Sequence, residues 1–325
     1  MGILISILLF IVVAWFLILR LLGSADHSQY DQPREYRKGS RERASDGLAE
    51  ALQQLEAMGA PSKAAPLKER LKVLRASIDE GFGELGSDPK LLGVEIRAVD
   101  AGGVPAEWVL APNADASRRL LYIHGGAFMI GSPRSHRAVT ARLSKLTGLA
   151  VLSIDYRLMP ENRRIHSIED CQTAYRWILD HGPDGASAPA ALFVAGDSAG
   201  GNLTLMLTAW VRDQGLRQVD GAIGLSPATD STIASPSMRA HVATDKMLGE
   251  SLGPVTKLPA PVRLLAMGMA GRINPRNPLV SPLLGDLSNL PPTLIQASEC
   301  EMLFDDSVRY VNKARRSGSP VELQT

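Results

Sequence analysis

The sequence predicts an α/β fold, a mostly parallel, doubly wound sheet with helices on both faces. Three observations predict it. Short apolar runs alternate with longer stretches of helical spacing, the pattern of strand and crossover helix. The runs are apolar at nearly every position, as in strands covered on both faces. Two of them lead straight into glycine-rich loops, where the backbone must turn tightly.

In chain order, the first element is Ile3 to Leu19, apolar except for Ser6. Its length is near the lower limit of the roughly 17 to 25 residues that span a bilayer. Gly23-Ser24-Ala25 offers small residues for signal cleavage, yet no Lys or Arg precedes the run and Arg20 closes it. An uncleaved transmembrane anchor over residues 1–23 is the expectation, with residues 3–19 in the bilayer. Arg20, Arg34, Arg37, Lys38, Arg41 and Arg43 follow the run. Basic flanks stay on the cytoplasmic side, so a single-pass protein with its main domain in the cytoplasm is expected.

Residues 24–45 are polar and read as a linker, followed by one folded domain over residues 46–325. Leu48, Leu52 and Leu55, then Leu67, Leu71, Leu74 and Ile78, recur at helical spacing on either side of Gly59 and Pro61. Val94 to Val109 reads as a hairpin turning at Gly102-Gly103. Strands are expected at Leu120 to Ile123, Leu149 to Ile154, Leu192 to Ala195, Ala222 to Leu225 and Thr293 to Ala297, with the start of another at Val321 to Thr325. Helices are expected at Ser167 to Asp180 and Asn202 to Arg212.

Composition narrows the function. With 325 residues and 45% hydrophobic content the chain can bury a large core. Its 35 basic and 34 acidic residues leave a net charge of +1, which gives no bias towards nucleic acid. Cys171 and Cys300 are the two cysteines, and neither has metal-ligand spacing, so no metal or redox cofactor is implied.

The chemistry lies in two loops. Ala191 to Ala195 runs into Gly196-Asp197-Ser198-Ala199-Gly200-Gly201, a G-x-S-x-G turn between strand and helix that lifts a serine hydroxyl clear of the sheet. Ser198 is the candidate nucleophile. Leu120 to Ile123 runs into His124-Gly125-Gly126-Ala127-Phe128, a loop type that offers backbone N–H groups to an oxyanion.

With these two motifs, the sequence resembles the hormone-sensitive-lipase-like branch of the α/β-hydrolases, the bacterial carboxylesterases with an HGG loop and a GDSAGG elbow. The likeness extends to Asp155-Tyr156-Arg157-Leu158-Met159-Pro160-Glu161, to Asn277 through Leu283, and to Leu290 through Gln296. It implies an α/β-hydrolase fold with a helical lid, built here from residues 46–85 and 232–276. Met247, Leu248, Leu264, Leu265, Met267 and Met269 would then line an acyl pocket or pack the lid. It also implies a triad in the order serine, acid, histidine. Glu299, Glu301, Asp305 and Asp306 all follow the Thr293 to Ala297 strand. The family's acid-x-Leu pattern falls on Glu301-Met302-Leu303, which makes Glu301 the expected acid and Asp305 the fallback. The expected oxyanion donors are Gly125, Gly126 and Ala199, and Asp155 and Arg157 are expected to pair as scaffold.

The expected activity is hydrolysis of short- to medium-chain acyl esters or lactones through a Ser198 acyl-enzyme. The histidines are His27, His124, His136, His166, His181 and His241, and none follows Glu301. His124 belongs to the oxyanion loop, and Arg164-Ile165-His166 stands where the family usually shows Phe-Pro-Ala. An incomplete reading of a longer, active esterase is therefore expected, lacking the end of its last strand and final helix. The alternative is a membrane-tethered pseudohydrolase that binds a ligand or partner without turnover.

Overall fold

A computed structural model describes residues 26–39, 62–66, 68–84 and 89–325, with isolated positions among 2–13 and 53–60. Most of the 3–19 run, and Leu48, Leu52, Leu55 and Leu67, lie outside the described residues. Among the described residues no helix is long and apolar enough to cross a membrane.

Eight strands form the main sheet in the order β1-β2-β4-β3-β7-β8-β9-β10. They are β1 (Glu95–Asp100), β2 (Pro105–Leu110), β3 (Asp115–Ile123), β4 (Leu149–Ile154), β7 (Ala191–Asp197), β8 (Gly221–Leu225), β9 (Thr293–Gln296) and β10 (Val321–Gln324). The short β5 (His181–Gly182) and β6 (Gly185–Ala186) pair separately. The β1–β2 hairpin is antiparallel, turns through Gly102 and Gly103 at positive φ, and joins β4 antiparallel; every later pairing is parallel. All six residues of β4 are buried, as a run apolar at every position but Ser153 requires of a strand covered on both faces. Leu121 and Ile123 of β3 pack into one layer with Trp108, Leu152 and Leu203, whereas Leu120 and Tyr122 pack into the other with Val109 and Val151. The strand's period of two thus splits one apolar run between two cores.

Nine described helices accompany the sheet: α1 (Arg70–Glu84), α2 (Pro89–Leu92), α3 (Arg137–Thr147), α4 (Arg164–Ile178), α5 (Ser198–Asp213), α6 (Ser237–Ala240), α7 (Gly249–Thr256), α8 (Ala260–Gly271) and α9 (Phe304–Arg316). Leu203, Leu205 and Leu207 of α5 are fully buried, which makes it the central crossover helix behind β7 and β8. In the 232–276 insertion, Leu248 and Met267 pack with Met302 and Leu303, and Leu264 is buried. Met247, Leu265 and Met269 instead face outward.

One reading needs correction. The polar 24–45 segment is no free linker where it is described. Asp31 pairs with Arg309 at 2.6 Å, Asn312 donates to the carbonyls of Tyr30 and Pro33 at 2.8 Å, and Arg34 reaches Asp305 at 2.9 Å. Arg37 then bridges Gln324 in parallel, extending the sheet beyond β10. Polarity alone suggested a linker because these contacts are ion pairs and backbone hydrogen bonds, which leave no apolar periodicity.

Candidate active site

β7 ends at Asp197 and α5 begins at Ser198, whose φ of 51° places a non-glycine residue in the left-handed region. Packing holds it there. A methyl group at Gly200 would strike the carbonyl oxygen of Ile123, and one at Gly196 would meet that oxygen at 2.5 Å and the Gly200 backbone at 2.6 Å. The glycines of the elbow are therefore required by the neighbouring strand end as well as by the turn. The amide of Ala199 lies at the N-terminus of α5, where helical amides lack intrahelical partners.

The facing loop is shaped by two buried side chains. His124 is fully buried, and burial pushes its imidazole down to about 3, so the ring is neutral. Its Nδ1–H donates to the carbonyl of Gly125 at 2.7 Å, in agreement with a loop-shaping role. Asp197 accepts from the Tyr122 hydroxyl at 2.8 Å and the Gly125 amide at 3.0 Å, and His136 Nε2 stands 3.5 Å from its other oxygen. Burial raises the Asp197 carboxyl, but His136 and Tyr122 outweigh it and hold the group below its ordinary range.

These bonds correct the oxyanion assignment. Gly125 is buried and its amide hydrogen is already given to Asp197, so it cannot serve a substrate. The amides of Gly126 and Ala127 have no partner among the described residues, and Ala127 is exposed at a φ of 53°. The Ala127 amide is thus a further candidate donor, one that the glycines of the HGG motif do not point to.

Four carboxylates follow β9, and their partners separate them. Glu299 accepts from the Tyr36 hydroxyl at 2.5 Å. Asp305 accepts from Arg34 at 2.9 Å and the Ser237 amide at 2.8 Å, which occupies the fallback acid. Asp306 accepts from Ser235 and from the amides of Thr229 and Asp230. Glu301 alone of the four keeps a buried oxygen, Oε1, without a partner; its Oε2 accepts from Ser226 at 2.8 Å. Burial pushes the Glu301 carboxyl up to about 7, against the pull of the Ser226 hydrogen bond.

The 232–276 insertion secures the loop around Glu301. His241 Nδ1 donates to the Glu301 carbonyl at 2.9 Å, Thr244 donates to the Cys300 carbonyl at 2.7 Å, and Asp245 accepts from the Met302 amide at 2.8 Å. Helix α1 secures the oxyanion loop from the other side. Arg75 donates to the carbonyls of Met129 and Met159, each at 2.7 Å, and pairs with Glu161, while Asp79 accepts from Ser132 at 2.6 Å. The expected Asp155–Arg157 pair does not form, because Arg157 pairs with Asp170 at 2.7 Å.

Among the described residues, which include all six histidines, none of these is bonded to Ser198 or to the Glu301 carboxylate. Beyond His124, His136 and His241, His181 bonds the Trp177 carbonyl, while Nδ1 of His27 and of His166 is buried without a partner.

The alpha/beta hydrolase fold family matches residues 120–325. An acetyl-hydrolase of Streptomyces hygroscopicus is 35% identical over 245 residues, 75% of each chain. An esterase of Acinetobacter venetianus is 34% identical over 231 residues, 71% of this chain and 72% of its own. Among solved structures, an esterase from the bacterial hormone-sensitive lipase family superposes with a TM-score of 0.69 at 30% identity, covering 84% of this chain and 86% of its own. A hormone-sensitive lipase from a metagenome library gives 0.70 at 31%, covering 85% and 86%. The elbow, the facing loop and these likenesses agree: the chain belongs to the α/β-hydrolase fold family, in its hormone-sensitive-lipase-like branch, and is a serine esterase/lipase-type hydrolase.

Proposed function

We propose that the protein hydrolyses small carboxylic esters of short- to medium-chain acids, or the corresponding lactones, through an acyl-enzyme on Ser198. The observation that carries this reading is the buried, unpartnered Oε1 of Glu301, an acceptor waiting for a donor beyond β9. An imidazole placed between that oxygen and Ser198 completes the triad. It takes the Ser198 proton as Oγ attacks the ester carbonyl, and the amides of Gly126, Ala127 and Ala199 hold the oxyanion. The imidazolium then returns the proton to the leaving alcohol, and water repeats the sequence on the acyl-enzyme. None of the six histidines of this sequence occupies that position.

The preference for small acyl groups draws on relatives named as an acetyl-hydrolase and as an ethyl acetate hydrolase of Pseudomonas putida. Anchoring through residues 3–19, with the hydrolase domain in the cytoplasm, is part of the same reading. Its support is the apolar run with its basic flank, together with Ile5, Leu9, Phe10, Val12 and Val13, which are helical and exposed.

The decisive experiment is fluorophosphonate labelling with imidazole supplied in solution, followed by peptide mapping. Label on Ser198, lost together with p-nitrophenyl acetate turnover in Ser198→Ala, is the expected result. Label on another residue, or turnover retained in that variant, would overturn the assignment.

A further inference from the structure

Arg164 opens helix α4 and is 3% exposed, yet among the described residues no carboxylate lies against it. Its partners are all neutral. One guanidinium nitrogen donates to Ser167 Oγ and another to Asn202 Oδ1, each at 2.6 Å. The guanidinium carbon lies 3.5 Å from the ring centroid of Phe128. Gly271, at the end of lid helix α8, closes over the Arg164 side chain, since a methyl there would meet its Cβ at 3.5 Å. A buried cation without a counter-charge costs stability.

The two contacts join elements that must be held together. Phe128, at a φ of 62°, belongs to the loop that carries Gly126 and Ala127. Asn202 lies one turn after Ser198 on α5. Its amide donates to the carbonyls of Ala228 and Val280, at 2.5 and 2.9 Å, which fixes Oδ1 towards Arg164. The amide of Ala228 donates in turn to the Ser198 carbonyl at 3.2 Å. A continuous path therefore runs from the oxyanion loop through the guanidinium to the backbone of the nucleophile.

We propose that Arg164 is a positioning residue for the oxyanion hole, joining the Gly126–Ala127 side to the Ala199 side and leaving one uncompensated positive charge behind the oxyanion. Both effects favour the transition state over the bound ester, because fixed donors and a fixed charge act where negative charge develops in a low-dielectric site. The inference rests on the serine-esterase reading.

Arg164→Met keeps the volume and removes the charge and the bridge. With imidazole supplied in solution, the expected result is a fall of about tenfold to hundredfold in kcat and in the fluorophosphonate rate, with KM within threefold. The thermal midpoint should stay close to the parent's, because removing an uncompensated buried charge offsets leaving Asn202 Oδ1 without its donor. Arg164→Lys, which restores charge without the planar stack, should recover part of kcat. Amide exchange at residues 126–128, which needs no turnover, should become at least about tenfold faster in Arg164→Met. A folded Arg164→Met with unchanged exchange, or with its loss confined to KM, would overturn the proposal. If Arg164→Met does not fold, Phe128→Leu removes the stacked ring from the half-buried side, and unchanged exchange and labelling there would overturn it equally. Ser198→Ala run beside these variants separates the two failures: label surviving that change defeats the esterase reading, whereas label lost there but insensitive to Arg164 defeats this inference alone.

Discussion

The carboxylate of Asp197 accepts the amide hydrogen of Gly125 at 3.0 Å, so the residue before the nucleophile also fixes the loop that faces it. Tyr122 adds a second bond to the same oxygen and His136 flanks the other. Elbow and oxyanion loop are thus one hydrogen-bonded unit, and a sequence position with no direct chemical role governs the geometry of the site.

Asp197→Ala should leave the Gly125 amide and the Tyr122 hydroxyl without acceptors in a buried setting. Each such loss costs about 1–3 kcal/mol, and the urea midpoint should fall accordingly. Asp197→Asn keeps an acceptor and should lose less. Fluorophosphonate labelling of Ser198 should fall in the same order, Ala before Asn.

Glu301 sets a pH dependence whose sign can be worked out. Its carboxyl is raised from 4.5 to about 7 by burial, so the folded chain holds the proton more tightly than the unfolded one. The resulting stability is fully present below about pH 4.5 and is lost as pH climbs through about 7. Glu301→Gln has no proton to lose and keeps a partner for Ser226. The variant should match the parent near pH 4 and exceed it by about 1–3 kcal/mol at pH 8, as read from urea melts of the 325-residue chain at both pH values.

Much of the fold was legible because burial on both faces writes nearly continuous apolar runs: β4 falls on the expected Leu149 to Ile154, apolar but for Ser153, and the Gly102-Gly103 hairpin stands as read. The elbow was legible for a steric reason, since only glycine clears Ile123 at positions 196 and 200. What escaped was set by tertiary pairing. The acid-x-Leu pattern already favours Glu301 over Asp305; what no local pattern carries is that Arg34, about 270 residues away in sequence, pairs with Asp305. What sets the Gly125 amide apart from those of Gly126 and Ala127 is likewise a bond to Asp197, and the docking of residues 28–39 depends on partners in α9 and β10.

That docked segment separates two deletions. Removing residues 1–25 takes away none of the described contacts of the hydrolase domain and should leave the urea midpoint unchanged, while releasing the protein from the membrane pellet. Removing residues 1–39 also strips Asp31 from the buried Arg309 and the Arg37 bridge from β10. The Asp31–Arg309 pair is part-buried, and its loss comes together with the Asn312 bonds to Tyr30 and Pro33, each hydrogen bond being worth about 0.5–1.5 kcal/mol, so the second deletion should lower the midpoint measurably. Equal midpoints would show that the segment is the linker its polarity suggested.

The histidines give the last prediction. His241 comes close to Glu301 in the chain's own structure, but its Nδ1 bonds the peptide oxygen and leaves the carboxylate alone. His124 is neutral and committed to Gly125, and His136 faces Asp197. Without an imidazole against Ser198 the hydroxyl keeps its proton near neutral pH, and loss of a triad base costs on the order of 10⁶ in turnover. The 325-residue chain should therefore hydrolyse p-nitrophenyl acetate close to background, and His166→Gln and His241→Gln should not lower that rate further. Imidazole in solution should raise it in a saturable way that disappears in Ser198→Ala and weakens in Glu301→Ala, because the orphaned Oε1 is what would orient the added ring. Vigorous turnover without imidazole, abolished by His241→Gln, would instead make His241 the base and require the 241–245 segment of the 232–276 insertion to swing from the peptide oxygen of Glu301 to its carboxylate.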